Sequence, residues 1–436
     1  MNLRTTRTRL AVVAVTGMLA LSACGGDGDT TEPSAGESTD SSEPSESSAP
    51  AETGDGVLTF GSLLPETGSL AFLGPPEFAG VDLAVQEINE AGGVNGEDVV
   101  HVRGDSGDAD SGIAPAETDE LLAAGSDVIV GAASSGVSLT VIDAIQAAGV
   151  VMFSPANTST AFDEPPYDSP DLYFRTAPSD ILQGAVMANL LIEDGRSNVA
   201  ILARQDAYGE TLAEQVAMNL ENAGSSVATT VFYGENAQSF DSQVDEIAAA
   251  GGDSLVLIGF EETATIVPQL ITAGAGPQDI PTYFVDGNTA DYSEGGSTPL
   301  PAGVLEGTKG TIPGADTGGE FQERLLGLNP DLDSFAYAAE SYDTVIVSAL
   351  AAVAAGADDG ESVGAAIVDV TIGGEKCTTF ADCVALLDDG ADIDYDGVSG
   401  PIELGELGSP TAASIGIYEY KADNTIEAVD YISGQI

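Results

Sequence analysis

Short apolar segments alternate along this chain with longer segments in which apolar residues recur every three or four positions. The short segments are typical of buried strands, because they are brief and are bounded by turn-forming residues. The longer ones are typical of amphipathic helices. In Phe78–Ala91, for example, Val81, Ala84 and Ile88 share one face, and Gly92 ends the pattern. The alternation predicts parallel sheets with helices on both faces.

Two such series are present, which predicts fold class α/β with two doubly wound parallel-sheet lobes. The first series predicts strands at 57–64, 99–104, 127–131 and 150–154, with helices at 78–91, 114–124 and 139–148. The second predicts strands at 198–203, 226–232, 254–258 and 282–285, with helices at 180–193, 209–223, 240–250 and 262–273. Further on, the apolar segment Val345–Ala357 is too short to cross a bilayer, so we expect a buried helix there.

The N-terminus has the pattern of a secretory signal. Three arginines in the first nine residues precede the apolar run Leu10–Leu21, which is too short for a membrane-spanning helix of roughly 20 residues. Leu21-Ser22-Ala23-Cys24 resembles the lipobox of bacterial lipoproteins, whose cysteine is lipidated after cleavage. The alternative is an ordinary cleaved signal with a chance cysteine. We expect residues 1–23 to be a signal peptide, with Cys24 lipid-anchored on the extracytoplasmic face of the cell membrane.

Residues 24–56 are predicted to be a disordered acidic tether. They are rich in Gly, Ser, Thr, Glu, Asp and Pro, and alanine supplies their only aliphatic side chains. Such a segment cannot bury enough apolar surface to offset the entropy of ordering it.

The chain is strongly acidic. It has 71 Asp and Glu against 11 Lys and Arg, a net charge of −60 at pH 7. This balance argues against nucleic acid as a partner, because Lys and Arg must neutralise phosphates there. Self-repulsion of this size destabilises a compact state unless salt screens it. We therefore expect a saline habitat.

Two cysteines remain besides Cys24. Cys377 and Cys383 are predicted to form a disulfide, which is usual for close cysteines in an exported protein. A metal site is the alternative, but His101 is the only histidine available to complete one.

Small and polar residues follow two neighbouring strands of the first series. In open α/β sheets ligands bind outside the carboxyl ends of the strands. Residues 132–138, which include Ser135 and Ser138, follow the strand at 127–131, and Ser154–Ser159 follows the next strand. Free amides at a helix N-terminus favour an anion such as a carboxylate. Plain N-capping by Ser135 or Ser138 is the alternative interpretation.

Two further candidates follow strands of the second series. Asp286 comes directly after the strand at 282–285, where its carboxylate could pair with an ammonium group. Tyr208 follows the strand at 198–203 and could supply an aromatic wall. The alternatives are a turn aspartate and a loop tyrosine packed on its own lobe.

Several segments together resemble the branched-chain-amino-acid-type substrate-binding proteins of ABC importers, which have the type I periplasmic-binding fold. The resemblance covers nearly all of 57–436 and is carried by Phe78–Gly96, Val130–Gly136, Phe153–Ala156, Phe174–Thr176, Tyr208–Ala213, Ala338–Val345 and Tyr395–Ile402. It implies a hinged clamp, with lobe 1 formed by 57–175 plus 313–416 and lobe 2 by 176–312 plus 417–436.

The resemblance also implies a ligand site. Ser135 and the loop with Ala156 and Thr158 match the family's carboxylate site, and Tyr208 matches its aromatic contact. Asp286 falls where relatives often have Glu as the partner of the ligand's amino group. Phe260 lies near a further contact, and another ligand-facing aromatic is expected near Phe72-Leu73.

The expected function is capture of an amino acid or similar small zwitterion and its delivery to an ABC permease, by a monomer without cofactor. Small amides, urea-like compounds and aromatic acids are alternative ligands, and a sensor of the same fold is an alternative role. An extracellular hydrolase is disfavoured, because Ser135 has no evident base and His101 is the only histidine.

The segment Asp392–Glu403 fits the spacing of a calcium-binding loop, D-x-D-x-D-G-x5-E. It lacks the helix that should follow, and Ser399 stands where an aliphatic residue is usual. It also matches the family's Tyr-Asp-Gly-Val-Ser-Gly motif, which is the interpretation we favour.

Overall fold

The computed structural model describes residues 54–168 and 172–436. The predicted signal peptide, Cys24 and the tether as far as residue 53 lie outside these residues. The strands are β1 Thr59–Leu64, β2 Val100–Asp105, β3 Val128–Gly131, β4 Val151–Ser154, β5 Tyr173–Arg175, β6 Asn198–Arg204, β7 Ser226–Tyr233, β8 Ser254–Ile258, β9 Thr282–Phe284, β10 Lys309–Pro313, β11 Glu375–Cys377, β12 Ile393–Tyr395, β13 Ala412–Tyr420 and β14 Ile426–Gln435.

Helices connect most of these strands, as the sequence pattern predicts. They are α1 Gly74–Glu90, α2 Ile113–Ala123, α3 Ser135–Ala147, α4 Asp180–Glu193, α5 Ala207–Asn222, α6 Asp241–Ala250, α7 Thr263–Ala273, α8 Gly318–Leu328, α9 Ala338–Ala355, α10 Gly360–Ile367 and α11 Phe380–Asp388.

Two large sheets form the framework of the described chain. The first has the order β2-β1-β3-β4-β5 and is parallel throughout. The second has the order β14-β13-β10-β9-β8-β6-β7; β6 to β10 are parallel, and β13 and β14 add an antiparallel edge. A small parallel pair, β11 and β12, stands apart. The predicted α/β class with mostly parallel sheets is confirmed.

β13 lies entirely within the seven-stranded sheet, pairing with β10 and β14 along its length. The lobe boundary expected between 416 and 417 therefore falls inside a strand. We propose that the lobes follow the two sheets and that the chain returns to the lobe of the seven-stranded sheet before Ala412.

The predicted buried helix at Val345–Ala357 is the C-terminal part of α9. By length and hydropathy, α9 is the one described helix that could cross a membrane, but 83% of it is buried inside the protein. It packs against α1, and the two backbones meet at Gly80, where an added Cβ would lie 2.1 Å from the Ala338 carbonyl oxygen. This helix pair forms the centre of the core beside the five-stranded sheet.

Cys377 and Cys383 are joined by a disulfide that links β11 to α11, with their Cα atoms 5.3 Å apart. Lys376 Nζ lies 2.9 Å from a carboxylate oxygen of both Asp394 and Asp396. Two acids of the calcium-like spacing are therefore paired with one lysine. Within the described residues, no group of three or more His, Cys, Asp or Glu side chains is arranged to hold a metal ion.

The rest of that segment holds α9 in place. Asp343 of α9 is buried and accepts hydrogen bonds from Tyr395 Oη at 2.7 Å, Val398 N at 3.1 Å, and both the Ser399 amide and hydroxyl at 2.7 and 2.6 Å. The Tyr-Asp-Gly-Val-Ser-Gly motif thus forms a turn that satisfies a buried carboxylate.

Candidate functional site

One cavity lies where the carboxyl ends of the two large sheets meet. In this closed arrangement its free volume is only about 10 Å³, which is room for about one water molecule. Five of the six predicted ligand residues line it, namely Ser135, Ala156, Tyr208, Phe260 and Asp286. The other lining residues are Leu70, Leu73, Ala133, Ser134, Gly287 and Tyr337.

On the side of the five-stranded sheet, the cavity meets the N-terminus of α3. Ser134 is the N-cap of this helix and accepts a hydrogen bond from Val137 N. Asn157 Nδ2 donates to the carbonyl oxygens of Ala132 and Ala133, both at 3.0 Å, which fixes the loop before the helix. The helix N-terminus with its free amides is suited to an anion.

On the opposite side, Asp286 is only 6% exposed and is held by three neutral donors. Its Oδ1 accepts from Tyr208 Oη at 2.6 Å and Gln183 Nε2 at 2.9 Å, and its Oδ2 accepts from Tyr337 Oη at 2.7 Å. Burial raises the pKa of Asp286, while these hydrogen bonds act in the opposite direction. No cation contacts this carboxylate among the described residues.

Tyr337 is a lining residue that sequence reasoning missed. It precedes α9 as its N-cap residue and has φ +58°, a left-handed conformation that is uncommon for a residue with a side chain. The one sequence feature that could have identified it is its position directly before Ala338–Val345, a segment that carries the family resemblance.

The wall between these two ends is apolar. Phe260 stacks on Tyr208 with ring centroids 5.4 Å apart, and the Arg204 guanidinium lies 3.6 Å over the Phe260 ring on its far side. Leu70 and Leu73 face them from the loop after β1. The aromatic expected near Phe72 does not line the cavity, and these two leucines take its place.

Thr158, the sixth predicted residue, lies one layer behind the cavity. Its carbonyl oxygen accepts a hydrogen bond of 2.7 Å from Asp180 N, and its hydroxyl is buried without a partner in the described chain. Asp180 and Gln183, neither of which was predicted, complete this layer from the start of α4.

The rim of the cavity is acidic on both sides. Glu261 N donates to Ser69 O at 3.3 Å, and Asn236 donates to Asp110, so loops of the two sheets are in contact. Burial and the nearby charges of Glu262 and Asp108 raise the pKa of Glu261. Like charges therefore approach one another across this contact.

Comparison with known proteins agrees with this architecture. Residues 57–381 match the model of the periplasmic binding protein family, and the chain belongs to that family. It is 29% identical to the chemotactic signal transduction system substrate-binding protein BasB of Halobacterium salinarum, over 80% of this chain and 83% of that one. It is 30% identical to a leucine-, isoleucine-, valine-, threonine-, and alanine-binding protein of Pseudomonas aeruginosa, over 54% of this chain and 64% of that one.

Solved structures show the same fold. The branched-chain amino acid transporter substrate-binding protein LivJ of Streptococcus pneumoniae, in complex with isoleucine, has a TM-score of 0.69 at 20% identity, covering 87% of this chain and all of that one. A solute-binding protein of an ABC transporter from R. palustris, in complex with benzoate, has a TM-score of 0.67 at 17% identity. The match covers 87% of this chain and 98% of that one. The relatives are substrate-binding proteins, and the two-lobed α/β expectation is confirmed.

Proposed function

We propose that this protein captures an amino acid or similar small zwitterion between its two sheets and delivers it to an ABC permease. One observation carries the proposal: a single cavity has a helix N-terminus at one end and the carboxylate of Asp286 at the other. A zwitterion places its carboxylate at the first and its ammonium at the second.

The apolar wall narrows the ligand class. Leu70, Leu73, Phe260 and the ring of Tyr208 offer no hydrogen-bonding partner to a ligand side chain apart from the tyrosine hydroxyl, which already donates to Asp286. We infer an aliphatic side chain, as in leucine, isoleucine, valine and alanine, four of the five ligands named for the Pseudomonas relative. An aromatic acid, as in the benzoate complex, has no ammonium group and would leave Asp286 without a cation.

The location of the protein is part of the proposal. Members of this family act outside the cytoplasm, and we infer that Cys24 carries a lipid that keeps the protein at the outer face of the cell membrane. An inhibitor of the lipoprotein-specific signal peptidase should block cleavage before Cys24, so that the unprocessed precursor accumulates. Replacement of Cys24 by serine should release the protein from the membrane fraction, whereas retention there would contradict the anchor.

Sensing is a second candidate role, because the Halobacterium relative belongs to a chemotactic signal transduction system. The same clamp would then present its closed form to a receptor. Deletion of the gene that encodes this protein distinguishes the two roles. Loss of ligand uptake would indicate transport, whereas loss of taxis with intact uptake would indicate sensing.

Titration calorimetry with a ligand panel tests the binding proposal. The panel comprises L-leucine, L-isoleucine, L-valine, L-alanine and benzoate. We expect the branched aliphatic amino acids to bind. Asp286→Asn should weaken their affinity by about 100-fold or more, since an unpaired buried ammonium costs roughly 3–5 kcal/mol. Asp143→Asn removes the same charge from an exposed position on α3 and should change nothing. Unchanged affinity in Asp286→Asn, or preference for benzoate, would contradict the assignment.

A further inference from the structure

A second buried acid stands behind Asp286. Asp180 is fully buried at the first position of α4, and Gln183, one turn along the same helix face, donates to Asp286. Gln183 thus links the start of α4 to Asp286, and the charge of Asp286 contributes to raising the pKa of Asp180. Two carboxylates share one interior site.

The partners of Asp180 leave its charge uncompensated. Its Oδ2 accepts from Thr211 Oγ1 at 2.8 Å, while its Oδ1 is buried with no hydrogen-bond partner in the described chain. Nearby oxygens at Gln183 Oε1 and Thr158 Oγ1 are buried without partners as well. An ionised aspartate in such a place loses its hydration and gains at most the hydroxyls of Thr211 and Thr158 in return, which is costly.

Among the charged and titratable groups around Asp180, one cation, Arg175, lowers its pKa, but burial and the charge of Asp286 outweigh this effect. Asp286 and Tyr208 face it from the seven-stranded sheet side, and Asp163 lies beyond Ser179, which donates to it at 2.6 Å. Arg175 is the nearest cation. Its guanidinium is committed to Asp163, to Ser409 Oγ at 2.8 Å and to Ser159 O at 2.9 Å.

We propose that ligand uptake displaces one proton, which the Asp180–Asp286 carboxylate pair holds in the ligand-free protein. The proton leaves a carboxyl oxygen of the pair for the solvent, and the ammonium group of the ligand takes over as the compensating positive charge. Consistent with this, burial and the charge of Asp286 raise the pKa of Asp180 to about 7. The inference rests on the proposed function, because it requires a ligand that brings a cation to this end of the cavity.

Binding then depends on pH in a defined direction. Below the pKa of the pair, each ligand bound releases close to one proton, so affinity for a zwitterion rises up to tenfold per pH unit. Above it, the pair is already ionised and the affinity becomes constant. Over this range a free amino acid remains a zwitterion, so the ligand itself contributes no change.

Calorimetry of L-isoleucine binding at pH 6.5, in buffers of different ionisation enthalpy, measures the released protons. We expect the observed enthalpy to vary linearly with buffer enthalpy, with a slope of roughly one proton, and Asp180→Asn to lose this slope whatever its affinity. Asp127→Asn is the matched control. Asp127 is a half-buried acid at the start of β3 whose pKa is also raised to about 7, but it lies outside the cavity, so its variant should retain the slope.

The outcomes separate this inference from the proposed function. Isoleucine binding with no proton release in the unaltered protein overturns the inference alone, as does proton release that persists in Asp180→Asn. Absence of binding by every amino acid in the panel overturns both. The measurement on the unaltered protein decides the matter even if Asp180→Asn does not fold.

Discussion

The hydroxyl of Tyr337 donates a 2.7 Å hydrogen bond to Asp286 Oδ2, across a separation of 51 residues. Asp286 follows a strand of the seven-stranded sheet, whereas Tyr337 begins the helix that packs beside the five-stranded one. The left-handed backbone at Tyr337 is a strained conformation that persists only where the surroundings impose it. The bond thus couples the acid at one end of the cavity to the framework of the opposite sheet.

Removal of this hydroxyl should weaken ligand binding. Tyr337→Phe keeps the ring but leaves one oxygen of a buried carboxylate without its donor, at a cost of about 1–2 kcal/mol. We expect a five- to thirtyfold loss of affinity for the best amino acid in the panel, measured by calorimetry.

Tyr342→Phe is the matched control for that experiment. Its hydroxyl donates to Glu87 Oε2 at 2.7 Å on the far side of the same helix, away from the cavity. Equal losses in the two variants would mean that Tyr337 acts on the stability of α9 and not on the site.

The elements and most of the cavity could be predicted from the sequence, because their signals are local. The strands β1 to β4 and β6 to β9 were predicted from short apolar segments. Ser135, Ala156 and Asp286 lie two to four residues beyond strand ends, where ligands bind. Tyr337, Asp180 and Gln183 carried no such signal. They reach the site only through the packing of α9 and α4 against sheets formed by distant segments, which no local pattern encodes.

The C-terminal third shows the same limit. Apart from α9, the elements of this region, which are β10 to β14, α8, α10 and α11, were not predicted individually, and the boundary expected at 416 fell within β13. Whether a strand joins one sheet or the other depends on long-range pairing, and β13 finds its partner β10 about a hundred residues earlier.

Glu340 should make the protein less stable as the pH rises. It is 4% exposed, and burial together with the charge of Asp343 raises its pKa from 4.5 to about 8. The folded protein therefore holds a proton that the unfolded chain loses above about pH 4.5, and its stability falls between that pH and about 8. Glu340→Gln should reduce this fall by roughly 1–3 kcal/mol.

Urea unfolding at pH 5, 6.5 and 8.5 measures this effect. Glu320→Gln removes a charge of the same sign from an exposed position on α8 and corrects for the general repulsion of an acidic chain. Identical pH profiles for the two variants would contradict the assignment to Glu340.

Salt should stabilise the folded state. The chain carries a net charge of −60, and acidic loops of the two sheets come into contact around Glu261 and around Asp110. Raising the salt from about 0.01 to 1 M shortens the screening length from roughly 30 to 3 Å. We expect the melting temperature to rise by roughly 5 °C or more. A neutral osmolyte at equal osmolality is the control, and a melting temperature independent of salt would refute the expected saline habitat.

Loss of the disulfide should destabilise the region around β11 and α11. Cys377 and Cys383 are six residues apart, and closing so short a loop contributes about 2 kcal/mol through the entropy of the unfolded chain. The double variant with serine at both positions should show this loss in urea. A reducing agent should produce the same loss in the unaltered protein and none in the variant, and a larger effect on either would indicate a further role for the thiols.

The position of β1 has a mechanical consequence. β1 lies between β2 and β3 and is parallel to both, and the chain reaches it through Gly56, whose amide donates to Asp358 Oδ2 at 2.8 Å. Tension on a membrane anchor at Cys24 would enter the protein along this strand. The load would then fall on the hydrogen bonds to both neighbouring strands at once, in shear. A clamp tethered in this way can be pulled by its anchor without peeling open the sheet that forms half of its ligand site.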